Sequence, residues 1–367
     1  MGLFKRVASS VLALVVLAQA HGGQYINYTT VTGYFLQDDP STNASTFNYT
    51  TTNFGLIDRA YPSDSSCESN NLTQWQRFAH QVSTLNRESP HSITYKVLFM
   101  GRHGEGFHNA AESFYGTPAW NCYWAEVDGN GTAVWSDAHL TTSGIAQAQI
   151  ANNFWRHEID IQKIPAPQTY YTSPLFRCLQ TANITFSGLD LPSSQPFIPT
   201  IKHNLRESIS IHTCDRRSNK SFIHSSFPSY PFEPNFPEYD DLWNGVTAET
   251  SSAQAVRSKS LLDDIFTHDN STYISFTSHS GEIGSILSVL GHRSFSLSTG
   301  AVIPVLVKAE TIEESSPTTS SVPWTPSPHC TSPPVTSISG GACICQNSAA
   351  PVTTTLPGSG PTYATEL

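Results

Sequence analysis

Between residues 93 and 307 the chain alternates short apolar runs with longer stretches whose apolar residues recur at helical spacing. Ile93–Met100 reads as a buried strand, and its Val97–Met100 portion is apolar without interruption, as in a strand covered on both faces. Just before it, Thr73–Glu88 places Trp75, Phe78, Val82 and Leu85 on one helical face. Leu140-Thr141-Thr142-Ser143-Gly144 offers hydroxyls as an N-cap for a helix that turns Ile145, Ala148, Ala151, Phe154 and Trp155 inward. Further strands are predicted at Thr169–Thr172, near Pro196–Ile201, at Tyr273–Thr277 and at Val302–Val307. Helices are predicted around Leu261–Phe266 and Ile283–Leu290, the second stopped by Gly291. This alternation predicts an α/β fold, a three-layer sandwich with a mostly parallel central sheet covered by helices on both faces.

Polar segments close these strands, and they hold the candidate chemistry. Parallel strands present their last residues at one edge of the sheet, so residues distant in sequence meet there. Met100 is followed by Gly101, Arg102, His103 and Gly104, and Thr172 by Ser173-Pro174-Leu175-Phe176-Arg177. Ile201 leads to Leu205-Arg206-Glu207, and Thr277 to Ser278-His279-Ser280-Gly281. Pro174 suits the first turn of a helix that would lift Arg177 one turn above the sheet edge. Arginine supplies bidentate donors, glycine lets backbone approach, and histidine supplies a nitrogen nucleophile, which together suit capture and attack of a phosphoryl group. A serine hydrolase is not supported, because the chain has no Gly-x-Ser-x-Gly elbow.

Arg102, His103, Gly104 and Asn109 fit, residue by residue, the signature R-H-G-x-x-x-x-N, so the chain resembles the histidine phosphatase superfamily, the phosphoglycerate mutase-like enzymes. LTTSGIAQA at 140–148 is similar to that family's L-T-x-x-G-x-x-Q-A, and LRE at 205–207 resembles the segment carrying its acid. GYFLQDDPSTN at 33–43, GLIDRAYPSD at 55–64 and HTCDRRS at 212–218 resemble a fungal branch of phosphomutase-like proteins, so the likeness covers about residues 30–310. The resemblance implies a phosphoglycerate mutase-like fold with His103 as nucleophile, its other ring nitrogen donating to a backbone acceptor. It also implies Arg102, Arg177 and a protonated His279 around the phosphoryl oxygens, and Glu207 as acid and then base. Asn109, Gly104, Ser280 and Gly281, with the amide after Gly281, are the further binding groups implied. No metal or cofactor is implied. His108 is expected at the mouth of the site, which residues 110–139 and 218–250 are expected to shape.

The acid-phosphatase and phytase branch of that family reads R-H-G-x-R-x-P and carries His-Asp at the second histidine. Here Glu105, Phe107 and His108 stand in the first stretch and Ser280 follows His279, which moves the acid's role to Glu207. The implied activity is hydrolysis of a small-molecule phosphate monoester through a phosphohistidine. Phosphomutase activity, or a wall-associated glycoprotein with a relict site, are the alternatives.

The 367 residues, 38% of them hydrophobic, suffice for a large core. Lys5 and Arg6 precede an apolar run from Val7 to Ala18, and Ala18-Gln19-Ala20 offers a cleavage site, so residues 1–20 are expected to be a secretory signal peptide. The run is short for a membrane span, and no later one is longer. Removing it leaves 17 basic against 29 acidic residues, a net charge of −12, which argues against a nucleic-acid or anionic-membrane partner. Any positive field must therefore be local. Eight N-x-S/T sequons, at Asn27, Asn43, Asn48, Asn71, Asn130, Asn183, Asn219 and Asn270, predict N-glycans on a secreted protein.

Three regions follow: the signal, a phosphatase domain over 21–310 that begins with a glycosylated extended arm, and a Ser/Thr/Pro-rich disordered tail over 311–367 with no anchor tract. Residues 115–139 form an aromatic insertion with a turn at Asp128-Gly129-Asn130-Gly131, its tryptophans read as core. The seven cysteines leave at least one thiol unpaired in a monomer, and Cys343 and Cys345 are too close to bridge one another comfortably. His212-Thr213-Cys214-Asp215 offers metal-ligand types in proximity, while Cys343-x-Cys345 has no histidine or second cysteine pair nearby at ligand spacing.

Overall fold

A computed structural model describes residues 23–66, 71–314, 321–334, 336–337 and 342–345; the signal segment and Cys67 lie outside the described residues. In chain order the principal elements begin with β1 (Tyr25–Thr30), α1 (Gln74–Glu88), β2 (Ile93–Arg102), α2 (Phe107–Tyr115), α3 (Thr117–Cys122) and α4 (Thr142–His157). Then come β3 (Thr169–Thr172), α5 (Phe176–Phe186), β4 (Thr200–Ile201), α6 (Lys220–Ser226), β5 (Thr247–Ala248) and α7 (Ser251–His268). β6 (Tyr273–Ser278), α8 (Ser280–Val289) and β7 (Val302–Ile312) complete the fold. The six-stranded sheet runs β1-β7-β2-β6-β3-β4, with β2, β6, β3 and β4 mutually parallel and β7 antiparallel to both its neighbours.

Side chains on β2 alternate between two cores. Leu98 and Met100 join Ile274, Phe276, Ile303 and Val305 under α7 and α8, against Leu261, Ile265, Ile283 and Ile286. Val97 and Phe99 face the other way, against Trp75, Phe78 and Val82 of α1 and Trp155 of α4. Each such side chain contributes about 1.5–3 kcal/mol on burial, so a strand that buries four in succession is firmly held. The site residues hang from its end.

Boundaries moved where caps decided them. Thr73 is the N-cap of α1, in a capping box with Gln76, and Thr141 caps α4 by accepting the Gly144 amide. α5 starts at Phe176 with Leu175 as N-cap, so Pro174 precedes the helix rather than opening it. The Asp137 carboxylate takes the Phe176 amide at 2.8 Å. α8 begins three residues before the expected Ile283, because Ser280 follows His279 directly into the helix.

Both ends of the domain differ from expectation. The segment expected to be an extended arm is folded in: β1 forms the sheet's edge, while Tyr34, Phe35, Tyr49, Phe54 and Leu56 are buried in the α1-side core. Its aromatic content, read as decoration, is packing material. The tail is also not wholly free. Cys122 of α3 is bonded to Cys343, Cys330 to Cys345, and the Cys330 amide donates to the Cys122 carbonyl at 2.8 Å. Covalent bonds replace the core this segment lacks. Cys178 and Cys214 are free and buried. The tryptophans Trp120 and Trp135 of the aromatic insertion are core, as expected. Among the described residues no helix is long and apolar enough to cross a membrane.

Candidate active site

The carboxyl ends of β2, β6 and β3 lie side by side, since Arg102 is the register partner of Ser278 and Thr172 that of Thr277. An open pocket of about 340 Å³ sits over this edge, and Arg102, His103, Arg177, Glu207, Asn109 and Ser280 all line it. Four of the five residues of the expected constellation therefore share one hollow. The fifth, His279, lies directly beneath, fully buried, its ring 5.0 Å from that of His103.

His103 is held as a nucleophile needs to be. Its Nδ1 lies 2.7 Å from the Gly104 carbonyl, to which it donates, leaving Nε2 with the lone pair. Burial first, then the charges of Arg177 and Arg102, holds its pKa well below the usual histidine range, so the ring is neutral. Gly104 serves this geometry rather than binding an anion through its amide, which donates to Thr181 Oγ1 at 3.0 Å. A Cβ at Gly104 would stand 2.3 Å from the Gly144 carbonyl oxygen, and one at Gly144 2.1 Å from that of Glu105. The glycines of the two sequence motifs therefore press the nucleophile's loop onto the start of α4.

Each arginine anchors one nitrogen and leaves others free. Arg102 Nη1 donates to the Leu297 carbonyl at 2.8 Å, and Arg177 Nη1 to the Cys214 carbonyl at 2.7 Å. The buried Nε atoms of both lack a protein acceptor. Asn109 caps α2 by accepting the Gly106 amide on Oδ1, which leaves its Nδ2 as the available donor.

Glu207 follows a 3-10 turn, His203–Leu205. Its carboxylate accepts the amides of Gly281 at 3.2 Å, Glu282 at 3.0 Å and Ser208 at 2.9 Å. The positive end of α8 is thus filled by the chain's own anion. This corrects the expectation for Gly281 and the amide after it, which hold the carboxylate instead of a phosphate. A Cβ at Gly281 would stand 2.2 Å from Glu207 Oε1, so only glycine admits the carboxylate there. Burial pushes the Glu207 pKa up, Asp215 adds to this, and the Ser208 and Gly281 amides with Arg177 pull against it; the net shift is upward.

His279 departs from expectation in charge. Burial, Arg177 and His103 hold it well below the usual range, so it is neutral rather than protonated. Its Nε2 is 2.8 Å from Ser173 Oγ and 3.3 Å from the Cys178 thiol.

The remaining wall comes from residues 108–121 and 208–215, and no lining residue falls within 218–250. His108 lines it, its ring 5.3 Å from His103, and burial holds it neutral too. His212, Cys214 and Asp215 bring ligand atoms within 4.8 Å of one another. They do not suit a cation, since Arg177 Nη2 stands 3.9 Å from Asp215 Oδ1 and burial raises the Cys214 thiol. Sequence reasoning missed the supports: Ser173, Thr181, Asp215, and Arg257, which donates to the carbonyls of Asn204, Arg206 and Glu207 at 2.8, 3.0 and 3.2 Å. Thr181 had a faint signal, four residues after Arg177 on the same helical face. Arg206 is structural, bidentate to Asp240 at 2.7 and 2.6 Å. Despite burial, that pairing holds Asp240 down at about 2.

A model of the histidine phosphatase superfamily (branch 1) matches residues 124–300, which begins after the Arg102-His103-Gly104 triplet. A probable phosphoglycerate mutase of Arthroderma benhamiae is 52% identical over 301 residues, 82% of this chain and 90% of that protein. Phosphomutase-like protein 3 of Candida albicans is 36% identical over 317 residues, 86% of this chain and 90% of that protein. Among solved structures, the ecdysone phosphate phosphatase from Bombix mori in complex with tungstate aligns over 57% of this chain and 88% of its own, at 17% identity and a TM-score of 0.38. With half of the aligned residues shared across nine-tenths of a relative's length, this chain belongs to the histidine phosphatase superfamily.

Proposed function

We propose that the protein is a phosphomonoesterase that works through a phosphohistidine on Nε2 of His103, without a metal. The observation that carries this reading is the fixed, neutral imidazole of His103 in one pocket with Arg102, Arg177 and Glu207. Nε2 attacks phosphorus as the ester P–O bond breaks, and Glu207, its pKa raised, protonates the departing oxygen. Water then attacks phosphorus, passes a proton to the Glu207 carboxylate, and the P–N bond breaks to free inorganic phosphate. The guanidinium groups and Asn109 Nδ2 stabilise the equatorial oxygens. Burial first, then Arg177, holds His279 neutral, and a bound dianion that offsets the Arg177 charge shifts His279 toward its protonated form.

The phosphomutase reading shares the first half-reaction and differs only in the acceptor; the name of the Arthroderma benhamiae relative favours it. The relict-glycoprotein reading is disfavoured by the assembled pocket. The protein is further proposed to be secreted and N-glycosylated: every sequon asparagine but Asn130 is exposed, and Asn130 Nδ2 donates to the Tyr115 hydroxyl.

Purified protein is expected to hydrolyse p-nitrophenyl phosphate equally with and without a chelator. His103→Ala, correctly folded by circular dichroism, is expected to lose at least about 10⁴ in kcat. Wild-type turnover by that variant contradicts the mechanism.

A further inference from the structure

The pocket beyond the phosphoryl end reads the charge of the leaving group. We propose that its substrate is a monophosphate of a neutral, polyhydroxylated group such as a sugar or polyol, and that phosphoglycerates and bisphosphates are poor substrates. This rests on the phosphomonoesterase reading above.

Among the described residues Arg102 and Arg177 are the pocket's only arginine or lysine lining groups, and each already gives one nitrogen to a carbonyl. A phosphoryl dianion engages what remains of both. The groups left to meet the leaving group are Glu112, Asn121, Ser208, Ser210 and His212. All can donate or accept hydrogen bonds and none is cationic, because burial holds the His212 pKa below its usual value. Two further carboxylates, Glu112 and Asp215, face the same space, Asp215 Oδ1 lying 3.9 Å from Arg177 Nη2. A substrate carboxylate or second phosphate would be desolvated there beside like charge with no cation to receive it. The basic residues next in sequence are turned away: Arg216 pairs with Asp128 at 2.7 Å, and Arg217 donates to the carbonyls of Ser218, Pro237, Glu238 and Tyr239. Hydroxyl groups, by contrast, match amides, serines and a carboxylate.

The test measures kcat/KM of the full chain on p-nitrophenyl phosphate, a hexose phosphate, glycerol phosphate and 3-phosphoglycerate, in the wild type and in Asn121→Lys. The expected result is at least about tenfold preference for the neutral leaving groups over 3-phosphoglycerate. Asn121→Lys, which adds a cation at an exposed position of the wall, is expected to narrow that ratio several-fold. Turnover of p-nitrophenyl phosphate with a preference for 3-phosphoglycerate, or a ratio unmoved by the lysine, overturns the inference and leaves the hydrolase reading standing. A folded protein that turns over none of the four overturns the hydrolase reading and this inference with it.

Discussion

The floor and the wall of the pocket are built in opposite ways. The floor hangs from parallel strands buried on both faces, and the His103 ring is fixed by its neighbour, Nδ1 donating to the Gly104 carbonyl, with the loop seated on Gly144. The wall stands on short, irregular pieces. α3 has six residues and is tied to the tail by the Cys122–Cys343 disulfide, while the 207–215 segment is held by Arg206, Asp240 and Arg257 from below. The proposed function puts the chemistry on the rigid part and the selectivity on the part assembled from distant segments. Loss of a floor residue should therefore reduce kcat on every substrate, and damage to the wall should change which substrates are used.

The sharpest way to separate the two is Glu207→Gln, which keeps the shape and removes the proton. It is expected to lower kcat/KM about 10²–10⁴-fold on an alkyl phosphate and much less for p-nitrophenyl phosphate, whose phenolate departs without an acid. Equal losses on both remove Glu207 from the acid's role. The same group sets a pH limb. Protonated Glu207 is the form that the first half-reaction needs, its pKa lies above the ordinary carboxylate value, and so kcat/KM on the alkyl ester should fall as pH rises through that raised pKa. Glu207→Gln should flatten this limb.

Gly281→Ala probes the same carboxylate from the other side. Its Cβ would meet Glu207 Oε1 at 2.2 Å, pushing the acid off the α8 amides. The expected loss is roughly tenfold in kcat with little change in KM, as for a group shifted rather than removed. The smallest effect on turnover is expected for Cys343→Ser. Releasing α3 should raise KM a few-fold in a substrate-dependent way and leave kcat on p-nitrophenyl phosphate nearly intact, while thermal stability falls by roughly 2–5 kcal/mol. A uniform kcat loss instead would show that floor and wall are one mechanical unit.

Legibility in the sequence follows the same division. Arg102, His103 and His279 could be picked out because each lies at the end of a strand whose apolar pattern is local and strong, and Arg177 and Glu207 because the segments carrying them resemble a known family or follow a predicted strand. Their partners could not, since burial and hydrogen bonding belong to tertiary structure. Nothing near Gly281 in the chain says that the carboxylate of Glu207, 74 residues earlier, fills the helix end and takes the amides expected for phosphate. The neutrality of His279 likewise depends on its burial first, and then on Arg177 of α5 and His103 after β2 arriving beside it. The arm and the tail misled for one reason: Thr-, Asn- and Pro-rich composition describes the exposed residues, while Tyr34, Phe35 and Phe54 in one, and Cys330 and Cys343 in the other, decide where the segments go.

The account's central claim is that Nε2 of His103 carries the phosphoryl group. Rapid acid-free denaturation of the protein during turnover of a ³²P-labelled ester, followed by peptide mapping, tests it directly. The account predicts an acid-labile, alkali-stable label on His103 in the wild type, accumulating in step with release of the first product and absent from His103→Ala. Steady turnover with no labelled protein, or a label on any other residue, would contradict it.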